Sequence, residues 1–156
     1  TPETEEYGIS SFTYGTSEPF DAERLHAFLH DDDNWRGVLR SKGFFWIAAD
    51  HGVAYEWAQA GGVNYVNNAG FWWAAVPREH WEHPEGQRPD EQPGWHPRYG
   101  DRVQQLVFIG QKMDEAAIRA GLDACLLDQK LALSDSKAWA ALKNPFPKIV
   151  LTEEEG

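Results

Sequence analysis

Cysteine occurs once in the 156 residues, at Cys125, so no internal disulfide and no cysteine-rich zinc site can form within this chain. Methionine also occurs once, at Met113, and the chain starts Thr-Pro-Glu-Thr-Glu-Glu without an initiating Met, as expected of a piece excised from something longer. That start has neither the basic residues nor the apolar stretch of a signal peptide. No apolar run exceeds the six residues of Phe44–Ala49 and Phe71–Val76. A membrane-spanning helix needs roughly 20. Basic residues are scarce too, with 14 Lys and Arg against 25 Asp and Glu, for a net charge of −11. Glu3, Glu5 and Glu6 at one end and Glu153, Glu154 and Glu155 at the other supply six of those negatives, which leaves −5 on the body. A mildly acidic surface repels phosphate, so neither nucleic acid nor an anionic membrane is an expected partner. One thiol and no export signal suit a reducing, cytoplasmic setting.

The chemistry-bearing motifs that are missing narrow the function further. There is no Gly-x-x-x-x-Gly-Lys-Ser/Thr loop, so the chain has no means of holding a nucleotide in the P-loop manner. A Gly-x-Ser-x-Gly elbow and a His-Glu-x-x-His helix are absent as well. Cys125 falls on an apolar stripe with Ala117, Ile118, Leu122 and Leu126, which predicts a buried packing residue in mid-helix and not a nucleophile.

What is present reads as one domain. Tyr7–Gly15 is short, aromatic and rich in Ser and Thr, as a strand is. Asp21 is a good N-cap for a helix to about His30, with Leu25, Phe28 and Leu29 inward, and Asp31–Asn34 stops it. Val38–Ala49 reads as a strand bent or bulged at Gly43, and Val53, Tyr55 and Trp57 alternate as the buried face of another. Gly61-Gly62 and Asn67-Asn68 read as turns, Gly70–Val76 and Arg102–Gly110 as strands. Asp114 caps a second long helix, and a short one spans Ser136–Leu142 before Asn144-Pro145-Phe146-Pro147. Residues 77–100 hold five prolines, many charges and almost no aliphatics, which predicts a long surface loop. Short links between the strands predict an α+β domain: an antiparallel sheet of four to five strands with two main helices packed on one face.

Eight tryptophans invite a sugar-stacking reading, but Trp46, Trp57, Trp72 and Trp73 fall in predicted strands. Adjacent Trp72 and Trp73 must then point to opposite faces. Core or a domain interface is the expectation for them. Arg40 and Lys42, at i and i+2, leave one face of a strand, and Asp101 and Arg102 begin another. These four residues form the expected interaction surface, with Arg40 and Asp101 on neighbouring strands within ion-pair reach. His26 and His30 are one helical turn apart, a spacing that chelates a metal when a third ligand approaches, although a helix edge needs no such role. In the loop, His80, His83 and His96 stand among Glu79, Glu82, Asp90 and Glu91 and are the candidate metal ligands, for weak and exchangeable zinc.

Taken together, several blocks resemble one family. Val38-Leu39-Arg40-Ser41-Lys42-Gly43-Phe44-Phe45-Trp46 resembles the RxKGxxW segment of the CobW C-terminal domain. Gly70–Ala75, Gly100–Gly110 and Leu122–Leu127 resemble its later blocks, as does Trp139 followed by Asn144-Pro145-Phe146-Pro147. The Trp-Trp form is similar to the zinc-responsive ZigA/YciC branch. The resemblance runs over residues 8–148, leaving 1–7 as the remnant of an acidic interdomain linker and 149–156 as an acidic tail. It implies a cytosolic metallochaperone GTPase, delivering zinc, cobalt or nickel by branch, whose GTP site and Cys-x-Cys-Cys metal site lie in an N-terminal domain. The C-terminal domain would then be a non-catalytic regulatory or interaction module, docking that GTPase domain or a metalloprotein client and holding no GTP itself. Two other classes compete: a stand-alone metal-dependent hydrolase built on the loop histidines, and a Trp-rich carbohydrate-binding module. The hydrolase would need a rigid pocket, and the sugar module is normally secreted.

Overall fold

A computed structural model describes residues 8–81 and 88–146. Five strands form one antiparallel sheet: β1 (Ile9–Thr16), β2 (Val38–Phe45), β3 (Val53–Ala60), β4 (Val63–Phe71) and β5 (Gln104–Gln111). Their spatial order is β1-β5-β2-β3-β4. The meander β2-β3-β4 is local, whereas β5 returns after a long connection to slot between β1 and β2. Helices α1 (Ala22–Leu29) and α2 (Glu115–Asp123) lie over one face, followed by the short α3 (Gln129–Ala132) and α4 (Ser136–Ala140). The fold is α+β, as the strand and helix order predicted. Among the described residues no helix is long and apolar enough to cross a membrane.

The covered face follows from the period of two along each strand. Phe12 and Tyr14 of β1, Phe45 of β2, Tyr55 and Trp57 of β3, and Leu106 and Phe108 of β5 are buried against Leu25, Phe28 and Leu29 of α1 and Ile118 and Leu122 of α2. Phe12 and Phe108 stack at 4.9 Å across the β1–β5 pair. The Asp114 carboxylate caps α2 by accepting from the Ala117 amide at 3.0 Å. Asp21 precedes α1 without making that bond and pairs with Arg24 at 3.4 Å. Two tyrosine hydroxyls at the rim of this core donate to carboxylates, Tyr14 to Asp123 at 2.7 Å and Tyr55 to Asp50 at 2.6 Å. Burial and these acidic neighbours push both phenol pKa values well above the ordinary one.

A second, smaller core sits at one end of the sheet, built from Trp46, Ala48, Ala54, Trp72, Tyr99, Leu127, Ala132 and Trp139. It accounts for one departure from the sequence reading, and the sheet itself for others. Gly70–Val76 does not continue as a strand. The chain leaves the sheet after Phe71 and turns through a 3-10 turn at Trp73–Ala75, which puts Trp72 into this core and leaves Trp73 on the surface. Asn67 and Asn68 pair with Glu56 and Tyr55 inside β4 and form no turn. The bulge in β2 falls at Leu39 and not at Gly43. Gly43 is needed for another reason: at φ 153° its position leaves only 1.9 Å between an added Cβ and the Gln105 carbonyl oxygen on β5. Cys125 lies in the turn just past α2, still buried.

The predicted surface loop is built into the fold over its described parts. Arg78–His80 and Pro89–Glu91 form 3-10 turns. Asp90 pairs with both Arg78 (3.0 Å) and Arg88 (3.2 Å), and His96 and Gly100 bridge antiparallel. Arg98 donates to the carbonyls of Ala132 and Ser134, and Tyr99, 1% exposed, anchors the segment in the second core. Proline and charge are not confined to the surface here: Pro89 is buried and Asp90 is largely covered between its two arginines.

Candidate functional site

Among the described residues, α1 and α2 pack on one side of the sheet. On the other side the same alternation presents Ile9, Arg40, Lys42, Phe44, Ala58, Ala60, Val63, Tyr65, Val107 and Ile109 in neighbouring positions. Five of these are large, apolar and substantially exposed, Ile9, Phe44, Val63, Tyr65 and Ile109 at 38% to 61%, with exposed Arg40 and Lys42 beside them. Arg40 stands opposite Ala60 and Ile109, and Lys42 opposite Ala58 and Val107. One groove of about 340 Å³ is lined by Arg40, Lys42, Ala58, Ala60, Tyr65 and Ile109. A second of about 460 Å³ continues it, sharing Lys42, Ala58 and Val107 and adding Phe44, Glu56 and Gln105. The result is an apolar trough with two cations along its length and the Glu56 carboxylate towards one end.

Of the four residues expected to form an interaction surface, two meet here. Arg40 and Lys42 share the open face, as their spacing predicted. Asp101 does not join them. It precedes β5, at the end of that strand far from Ile109 and Arg40, so no Arg40–Asp101 pair forms. Its carboxylate accepts from the amides of Trp73 (2.8 Å) and Ala74 (2.9 Å), holding the 3-10 turn after β4. Arg102 points into the protein, where its Nε donates to the His51 carbonyl at 2.6 Å and its Nη1 to the Tyr99 carbonyl at 3.2 Å. Its guanidinium lies 5.5 Å from the Trp46 ring centre, and burial lowers its pKa from the ordinary arginine value. Arg102 is therefore buried beside the second core, and Asp101, half-buried, holds the turn that leads into it.

The exposed apolar members of the trough escaped the sequence reading, yet they left a signal. Leu106-Val107-Phe108-Ile109 is apolar on both faces of a strand, which means two covered faces. Among the described residues, helices cover one of them. Phe44 beside Phe45 says the same of β2.

The histidines of the loop are not gathered. His80 is exposed on its 3-10 turn. His96 accepts from the amides of Arg98 (3.0 Å) and Tyr99 (3.1 Å) through Nδ1, which spends one of its two nitrogens on the backbone. His83 lies outside the described residues. Among the described residues no group of three or more His, Cys, Asp or Glu side chains is placed to hold a metal. His26 and His30 do meet, with ring centres 4.2 Å apart. Partial burial and the His30 ring hold the His26 pKa below the usual imidazole value.

The tryptophans offer no sugar platform of the expected kind, since Trp46, Trp57, Trp72 and Trp139 are buried. Trp81 and Trp95 meet edge to face at 5.9 Å. Cys125 is packed with its Sγ near the carbonyls of Gly121 (3.2 Å) and Arg24 (3.5 Å). Burial pushes the thiol pKa up to about 11. Alkylation of native protein at pH 8 is therefore expected to run roughly tenfold or more slower than that of a free thiol. Reaction with iodoacetamide at the free-thiol rate, in protein shown to be folded, would contradict this.

Comparison with known proteins bears on the whole domain. The family model described as the cobalamin synthesis protein cobW C-terminal domain matches residues 9–126. Zinc-regulated GTPase metalloprotein activator 1 of Dictyostelium discoideum is 37% identical over 155 residues, covering 98% of this chain and 32% of its own length. The chain thus spans about a third of that curated relative. Among solved structures, the zinc(II)-bound YjiA GTPase from E. coli shares the fold at a TM-score of 0.56 and 18% identity, over 80% of this chain and 32% of that one. A zinc(II)-bound triple mutant of YjiA gives 0.53 and 17%, over 77% and 30%.

Proposed function

This chain belongs to the cobW C-terminal domain family, and from that premise we propose that it is the non-catalytic docking domain of a zinc-handling, GTP-dependent metallochaperone. GTP would be bound and hydrolysed by an upstream domain of the same protein. The present chain contributes no phosphate loop and works by contact. The observation that carries this reading is the open face of the sheet. Monomeric proteins rarely leave an apolar strip of this kind on a sheet without covering it. Its occupant would be the upstream GTPase domain, because the chain corresponds to about a third of its curated relative and the rest of such a protein supplies a large partner in cis. Arg40 and Lys42 add a charge requirement: the occupant presents carboxylates to the two cations and apolar side chains to Ala58, Val107 and Ile109. A metalloprotein client could then read the combined surface of the two domains.

The test is association in trans. The chain and the upstream domain of its parent protein, made separately, are expected to bind with at least micromolar affinity in calorimetry. Chemical-shift changes should concentrate on β2, β3 and β5 residues of the open face. Perturbation confined to the helical side would overturn the assignment of the face, and no association at all would overturn the docking reading.

A further inference from the structure

We propose that His26 and His30 of α1 form a two-histidine site for a divalent transition-metal ion such as zinc, exchangeable and on the side of the domain opposite the open face. The pair sits at i and i+4 on an eight-residue helix, so both rings project from one side of it. Their centres are 4.2 Å apart with planes tilted 31°. Zinc–imidazole bonds are about 2.0–2.1 Å long, so two rings this close are near enough to share one ion.

Two contacts prepare the donors. His30 Nδ1 lies 2.8 Å from the His26 carbonyl oxygen. A carbonyl only accepts, so Nδ1 carries the proton and Nε2 keeps its lone pair for the metal, the arrangement that commonly orients a ligating histidine. The His26 ring is held by Phe146, which meets it edge-on at 5.3 Å. Phe146 is itself buried against Phe45 and Tyr55, so the ring rests on the main core and not on a loop. His30 is exposed, which leaves the approach open.

No third described carboxylate, thiol or imidazole completes the set. Water would fill the remaining positions, and affinity would be modest with rapid exchange. A closed four-ligand structural site would hold metal far more tightly. His96 of the loop is a poorer donor by comparison, because its Nδ1 already accepts from two backbone amides. The inference is independent of the docking reading. Since α1 covers the other side of the sheet, a domain seated on the open face would leave His30 accessible.

The experiment is a titration of the 156-residue chain with zinc alone, followed by calorimetry and by the imidazole NMR signals. The expected result is a single site whose filling shifts the His26 and His30 resonances together. His30→Gln should weaken it about tenfold, because the second donor contributes through chelation. His30→Cys should restore most of the loss, since a thiolate also ligates zinc. A double variant, His80→Gln with His96→Gln, should leave the affinity unchanged. Equal affinity in the wild type and His30→Gln overturns the site, as does loss of binding in the loop variant.

Discussion

Replacing Gln104 with leucine is expected to cost the domain about 3 kcal/mol, more than a hundredfold in its folding constant. Gln104 opens β5 and is wholly buried. Its Nε2 donates to the carbonyls of Glu18 and Trp46, both at 2.9 Å, and its Oε1 accepts from the Trp46 amide at 2.8 Å. One side chain thus ties together the link before α1, the chain leaving β2, and the start of β5. Leucine fills a similar volume but answers none of these groups. The Trp46 carbonyl retains a long bond from the Phe20 amide at 3.4 Å, whereas the Trp46 amide loses its partner outright. An orphaned buried group costs about 1–3 kcal/mol, and the buried Trp46 amide and the part-buried Glu18 carbonyl both lose their partner. Urea unfolding is the measurement: the midpoint should fall at unchanged slope. A loss below about 0.5 kcal/mol, the range of an ordinary surface substitution, would show the clamp to be idle.

Nothing in the sequence marks Gln104 as special. It reads as the polar end of a strand, and only the tertiary meeting of residues 18, 46 and 104 makes it a clamp. Asp101 and Arg102 mislead for the same reason. Charge suggests surface, but Asp101 turns to cap two amides and Arg102 spends its donors on the carbonyls of His51 and Tyr99. By contrast, features governed by local periodicity were legible. The inward sets Leu25, Phe28, Leu29 on α1 and Tyr55, Trp57 on β3 and the shared face of Arg40 and Lys42 follow from spacings of 3.6 or 2, and the Asp114 cap from its side-chain chemistry. The place of β5 between β1 and β2 was not legible, because non-local pairing leaves no trace in period or propensity. That insertion is what brings Val107 and Ile109 beside Arg40 and Lys42 and so assembles the trough.

Changes in the trough should separate binding from folding. Tyr65 is 61% exposed on β4 and Arg40 is exposed on β2, so neither side chain supports the core. Tyrosine and arginine are also the side chains that most often concentrate interface energy, the first by apolar area with little entropy cost and the second by directed charge. Tyr65→Ala combined with Arg40→Glu is therefore expected to weaken association with the upstream GTPase domain by about 30-fold or more, some 2 kcal/mol. The unfolding free energy should stay within about 1 kcal/mol of the parent. Charge reversal matters more than truncation here, because a carboxylate at position 40 would face the acidic groups that the cation requires of the partner. Glu23→Ala, on the exposed side of α1, serves as the matched control and should leave association unaltered. If the double variant binds as tightly as the wild type while Glu23→Ala weakens binding, the partner sits on the helices, and the open face must be kept soluble by some other contact.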